Sequence, residues 1–309
     1  MPPISHTRAL RDYQLLDNVW ATHGVVFLSG TQALVRLMWM QRQLDERQQW
    51  NTRGFISGYR GSPLGMVDQV IWKQDEKFKN AGIEFVPAIN EELGATQVLG
   101  TQRVESDPER TVDGVFGLWY GKGPGVDRAG DALKHGNAYG SSPHGGVLVV
   151  AGDDHGCVSS SMPHQSDQVF QSWHMPVVSP ADVSELVSFG LYGFALSRYS
   201  GAWVGMTALT EVVESSTTVD LDAINAQTAA WKTLQEVQDL TGHQSPSDGL
   251  HYRWPDLPSL SIESRLQDKL AAVAAFAQVN SIDRTVIDSP QAHIGIVTAG
   301  KAHHDLMEV

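Results

Sequence analysis

The sequence predicts an α/β protein built on a doubly wound parallel sheet. Three observations predict it. Short runs rich in valine and isoleucine alternate with longer helical patterns from about residue 20 to about residue 214. Val147–Ala151 is apolar at every position, as a central strand buried on both faces requires. Glycine-containing turns follow the strand-like runs, where open parallel sheets bind their ligands.

The elements follow in order. Val25–Leu28 reads as a strand, with a loop as the alternative because Gly24 and Ser29 flank it closely, and Thr31–Leu44 reads as a helix, with Leu34, Leu37, Met38 and Met40 on one stripe. Gly54–Ser57 is a second strand, running into the loop Gly58–Pro63 and then a helix over about Leu64–Lys79. Glu84–Ile89 is strand-like, and Glu91–Arg103 is a helix with Asn90 placed to cap it. Val115–Trp119 is a strand, and Asp127–Asn137 is a helix after a glycine-rich turn. After Val147–Ala151, Ser179 and Pro180 open a helix as cap and first residue, reaching about Arg198. Trp203–Met206 is one more strand.

Beyond Glu214 the character changes. The sequence divides into an N-terminal extension (1–19), the α/β domain (20–214), a connecting region (215–290) and the start of a further α/β domain (291–309). The connecting region is polar and rich in turn formers, with one amphipathic helix over about Ser261–Asn280. His293–Lys301 reads as a fresh strand and turn, with a helix starting at Asp305. A domain that stops one turn into its first helix does not fold alone, so the expectation is a truncated chain.

Composition excludes several classes of function. A net charge of -13 repels phosphate backbones, so no nucleic-acid partner is expected. One cysteine, Cys157, permits neither an internal disulfide nor a four-thiolate cluster, which points to the cytoplasm. Met1–Trp20 lacks the layout of a signal peptide, and no apolar run approaches the ~18 residues that span a bilayer. His135, His144, His155, His164 and His174 show no metal-site spacing, so no metal ligand is expected among them.

Three segments sit where the chemistry of such a sheet belongs. Gly58–Gly65 offers Gly61 for close approach, Ser62 for a hydroxyl and Arg60 for a carboxylate-binding fork. Glu91 and Glu92 open a helix after a strand. They favour the helix dipole there, and a buried glutamate at that point could move a proton. The third runs from Gly121–Arg128 through Ser141–Gly146 to Gly152–Gly156, and its spacing is neither a P-loop nor a dinucleotide fingerprint. Phe116, Trp119 and Tyr120 serve either an aromatic pocket or the core, and the core is the expected use.

Gly58–Pro63, Asn90–Thr96, Asp113–Arg128, Asp131–Asn137, Ser142–Val147, Gly152–Gly156, Arg253–Asp256, Val286–Pro290 and Gly295–Lys301, in that order, resemble the long fused bacterial indolepyruvate:ferredoxin oxidoreductases. The resemblance covers nearly the whole chain. It implies a thiamine-diphosphate pyrimidine-binding domain, with a glutamate bonded to N1′ of the aminopyrimidine. Glu91 is the choice for that glutamate and Glu92 its near competitor, because a small residue, Gly94, stands two places on. The resemblance assigns Asn90, Gly61 and Pro63 to the cofactor and Ser62 to the substrate oxo group. Arg60, Lys122 and Arg128 are candidates for the substrate carboxylate. It implies a 2-oxoacid substrate, coenzyme A, ferredoxin and a homodimer.

The Gly-Asp-Gly motif of the family, which holds Mg²⁺ and diphosphate, does not occur here. Magnesium and 4Fe-4S clusters are therefore expected only on other polypeptide, and the chain alone is expected to be inactive and a poor binder of the cofactor. Two other readings stand beside this one. One is a non-catalytic binding protein of the same fold. The other is an oxidoreductase for pyruvate or a branched-chain 2-oxoacid.

Overall fold

A computed structural model describes residues 13–253, 256 and 259–309. Residues 1–12 of the N-terminal extension, and Trp254 and Pro255 of the Arg253–Asp256 segment, lie outside the described residues.

Six parallel strands form the sheet: β2 (Thr52–Gly58), β3 (Ile83–Phe85), β4 (Gly114–Lys122), β5 (Val147–Gly152), β6 (Val177–Val178) and β7 (Val204–Thr207). Their order is β3-β2-β4-β5-β7-β6. After β2 the chain moves to one side to make β3, and after β4 it moves to the other. The crevice between the ends of β2 and β4 is thus the topological switch point, where doubly wound sheets hold ligands.

Alternation along the strands divides the core. Phe116, Leu118, Tyr120, Leu148 and Val150 face one layer, formed by α2 (Gly30–Arg47), α3 (Val67–Trp72), α4 (Asp75–Asn80) and α9 (Val183–Ser200). Trp119, Val147, Val149 and Ala151 face the other, formed by α5 (Glu91–Thr101), α6 (Gly123–Arg128), α7 (Gly130–Tyr139) and α8 (Ser166–Ser172). One buried ion pair ties the first layer together. Arg198 donates to both Asp45 oxygens at 2.6 and 2.8 Å, and Thr52 and Gln41 donate to the same carboxylate.

Several sequence expectations need correction. Val25–Leu28 is a strand (β1, Val25–Ser29), but it leaves the main sheet and pairs antiparallel with β8 (Ser216–Asp220). β8 lies in the stretch read as a polar connection. Val219 is the one fully buried residue of β8, so the alternation of that strand is faint in sequence. The helix expected over Leu64–Lys79 is two short ones, interrupted at Lys73 and Gln74. The strand expected over Glu84–Ile89 is formally Ile83–Phe85. Even so, Val86 and Ala88 go on donating to Ile56 and Gly58 of β2, while Pro87 has no N–H to give. The helix expected over Asp127–Asn137 is α6 and α7, and the glycine-proline turn itself is helical. The cap of α9 is Asp182, accepting from the Glu185 N–H, not Ser179.

Residues 221–280 carry α11 (Leu221–Ala230), α12 (Leu234–Thr241) and α13 (Ser261–Val279), following the single turn α10 (Thr210–Val213). Leu221, Ile224, Val237, Ala272 and Phe276 of these helices join the first core layer. His293–Lys301 forms no strand. Ile294, Ile296 and Val297 are exposed, and no neighbouring strand among the described residues offers a ladder. The helix beyond is α14 (Ala302–Met307), and α1 (Asp17–Trp20) is a single turn near the start.

Candidate functional site

Two loops and two helix starts converge on the switch-point crevice. The β2 strand ends at Gly58, and the loop Tyr59–Gly65 carries Arg60 exposed and Ser62 half-buried, with a cis bond between Ser62 and Pro63. The β4 strand ends at Lys122, whose aliphatic stem lies over Gly61. The start of α5 is fixed twice: Asn90 accepts from the Leu93 N–H at 2.9 Å, and Trp119 Nε1 donates to the Glu91 carbonyl at 2.9 Å. The head of this helix lies close to the end of β2, because Gly94 packs against the Gly58 backbone.

The two glutamates are in different surroundings. Glu92 is exposed. The Glu91 side chain is only 12% exposed and lies against Gly125 of α6. A Cβ at residue 125 would stand 2.7 Å from Glu91 Cγ, so glycine leaves the carboxylate its place. Its charged neighbour is Arg128, with Nε at 3.7 Å and a guanidinium more than half exposed. Glu91, Ser62, Arg60, Lys122, Arg128, Asn90, Gly61 and Pro63 thus all stand on segments bordering one crevice. A half-buried carboxylate, one hydroxyl and three cations suit a heteroaromatic ring nitrogen next to an anionic, carbonyl-bearing ligand.

Other singled-out residues serve structure. Phe116, Trp119 and Tyr120 are buried in the core, the expected use. The Gly152–Gly156 segment closes a loop. Asp153 accepts from the Ser166 N–H and hydroxyl, and burial pushes its carboxyl above the usual range. Asp154 accepts from the Val158 and Ser159 N–H groups, which hold its carboxyl below that range. His164 packs on Gly123, on the face of α6 that also carries Asp127, while Gly125 and Arg128 face Glu91. His144 pairs with Glu105 and His135 with Asp131.

Sequence reasoning missed the buried partners behind the loop. The Tyr120 hydroxyl donates to Asp68 of α3, and no local pattern marks Asp68. Two surface cavities, of about 360 and 370 Å³, lie elsewhere, one beside Phe27 and Gln32 and the other beside Trp20 and Trp39. No helix among the described residues is long and apolar enough to cross a membrane.

No family model matches the sequence, and no curated protein matches it. Among solved structures, the chain is similar to a 2-oxoglutarate:ferredoxin oxidoreductase from Magnetococcus marinus, solved with 2-oxoglutarate, coenzyme A and succinyl-CoA bound. The TM-score is 0.61 at 17% identity, over 93% of this chain and 51% of that one. The likeness establishes a shared fold, and this chain spans about half the length of that protein.

Proposed function

We propose that this chain carries the pyrimidine-binding part of a thiamine-diphosphate-dependent 2-oxoacid:ferredoxin oxidoreductase, acting on an arylpyruvate such as indolepyruvate. Coenzyme A takes the acyl group and ferredoxin the electrons. Residues 20–214 form the pyrimidine-binding domain, 215–290 the connection and 291–309 the start of a further domain, within a cytoplasmic homodimer.

The observation that carries this reading is the position of Glu91. A half-buried carboxylate at the head of α5, seated on Gly125, borders the switch-point crevice of a fold shared with a 2-oxoacid:ferredoxin oxidoreductase. The residues present fit the pyrimidine end of the cofactor. Glu91 hydrogen-bonds a ring nitrogen, and Asn90 and Trp119 hold the helix start that presents it. They do not fit the diphosphate end. Asp153 and Asp154 are engaged by Ser166 and by the backbone of residues 158–159. Among the described residues, no group of three His, Cys, Asp or Glu could hold a metal ion.

Thiamine diphosphate, when bound, supplies a carbon nucleophile for the 2-oxo group of the substrate. This chain contributes positioning and charge. Glu91 exchanges a proton with the pyrimidine ring nitrogen, and the Ser62 hydroxyl donates to the substrate oxygen. Arg60, Lys122 and Arg128 offset the carboxylate. The deciding experiment supplies indolepyruvate, phenylpyruvate, pyruvate and 2-oxoglutarate to the protein isolated with whatever polypeptide accompanies it. Coenzyme A, thiamine diphosphate and a viologen acceptor are present. Reduction that is fastest with indolepyruvate supports the reading, faster turnover of 2-oxoglutarate or pyruvate moves the substrate assignment, and none with any acid overturns the activity.

A further inference from the structure

Tyr120 lies two residues before the end of β4, and its ring lies against Gly58 at the end of β2. A Cβ on residue 58 would collide with the Tyr120 carbonyl and stand 2.7 Å from the ring's Cδ1. The Tyr120 hydroxyl donates to Asp68, which sits in the first turn of α3, where a carboxylate also favours the helix dipole. Both side chains are shut away from water, at 1% and 3% exposure. That hydroxyl is the one hydrogen-bond donor to the Asp68 carboxylate among the described residues. A buried carboxylate held by one hydrogen-bond donor is expensive.

The pair brackets the loop that carries Ser62. The loop leaves β2 at Gly58, where the Tyr120 ring packs, and runs into α3, which Asp68 ties back to the same tyrosine. On its far side Pro63 and Leu64 rest against Gly152 of β5, where a Cβ would stand 3.0 Å from Pro63 Cδ and 2.8 Å from Leu64 Cγ. Burial and the Asp68 bond push the Tyr120 hydroxyl well above its ordinary range, so it remains a donor, while the Arg60 charge acts on it from the loop.

We propose that Tyr120 and Asp68 are positioning residues that pin the Tyr59–Gly65 loop and so set the place of the Ser62 hydroxyl at the crevice. This role rests on the site reading above. It differs from plain core packing, because the pair joins both ends of one functional loop rather than two layers of the core.

The test uses Y120F, D68N, S62A and the S62A/Y120F double variant, in the protein isolated with whatever polypeptide accompanies it, with hydrogen exchange by mass spectrometry and kcat/KM for the 2-oxoacid. Expected is exchange of the 59–72 segment faster by roughly tenfold in Y120F and D68N, with β5 unchanged. Y120F and S62A should lower kcat/KM for the 2-oxoacid by similar factors, and the double variant should be no lower than either alone. Unchanged exchange over 59–72 in both variants, loosening spread equally to β5, or additive losses in the double variant would each overturn the pin. Faster exchange over 59–72 in a preparation that turns over no 2-oxoacid keeps the pin and removes the site reading on which it rests.

Discussion

Lys269 of α13 should make the stability of this protein rise with pH through the neutral range. Its side chain is 1% exposed, and its Nζ donates at 2.9 Å to the carbonyls of both Asn137 and Ala138, the last turn of α7. Burial, helped by the nearby Arg265 cation and opposed by Asp256, pushes its pKa down from 10.5 to about 7. At ~1.4 kcal/mol per pKa unit, that depression favours the neutral amine by roughly 5 kcal/mol. The neutral amine still has two N–H groups for the two carbonyls. Between about pH 7 and 10.5 the unfolded chain holds a proton that the folded chain has released, so stability rises with pH. The gain from pH 7 to 9 works out at roughly 2 kcal/mol. Little else interferes in that interval. His251, lowered by burial, finishes titrating at more acid pH, and the raised tyrosines Tyr120, Tyr192, Tyr199 and Tyr252 act only above their ordinary 10. Urea unfolding at pH 7, 8 and 9 measures the slope directly. Lys269→Met should abolish it. The variant should also lose about 1–3 kcal/mol at pH 9 for each carbonyl left unpaired. An equal slope in the variant, or wild-type stability that falls from pH 7 to 9, would refute the reasoning.

Two further outcomes follow from the packing. Arg198→Ala strands the buried Asp45 carboxylate with Thr52 and Gln41 as its donors among the described residues, and should cost about 3–5 kcal/mol in denaturant unfolding. Gly125→Ala places a Cβ 2.7 Å from Glu91 Cγ and 3.0 Å from its Oε1, so the glutamate side chain must turn away. It should displace the carboxylate at about 1–3 kcal/mol of stability and weaken thiamine diphosphate binding about tenfold in the protein with its accompanying polypeptide. Calorimetry and a melting curve on one sample separate the two effects.

The parallel sheet was legible because its central strand carries its burial in its composition: Val147–Gly152 is buried at every position. The start of α5 was legible because Asn90 caps it through a local bond that needs only its own sequence neighbours. What escaped depends on partners far along the chain. β1 reads as a core strand, and only pairing with β8, almost two hundred residues later, takes it out of the main sheet. His293–Lys301 has the apolar pattern of a strand, yet pattern does not supply a neighbour. The site loops stood out through their glycines. Asp68 and Tyr120 hold one of them from fifty-two positions apart, and neither is distinguishable in sequence from an ordinary helix acid and a core aromatic. The burial that distinguishes Glu91 from the exposed Glu92 comes from its seat on Gly125, which no spacing rule foretells.

Whether Glu91 engages the pyrimidine of thiamine diphosphate is tested most directly by calorimetric titration of thiamine diphosphate, and of its analogue oxythiamine diphosphate, into the protein isolated with its accompanying polypeptide, as wild type and as Glu91→Gln. The variant should keep its melting temperature and lose affinity for thiamine diphosphate by about tenfold or more. It should also no longer discriminate between the two compounds. Equal affinity and equal discrimination in wild type and variant would contradict that engagement.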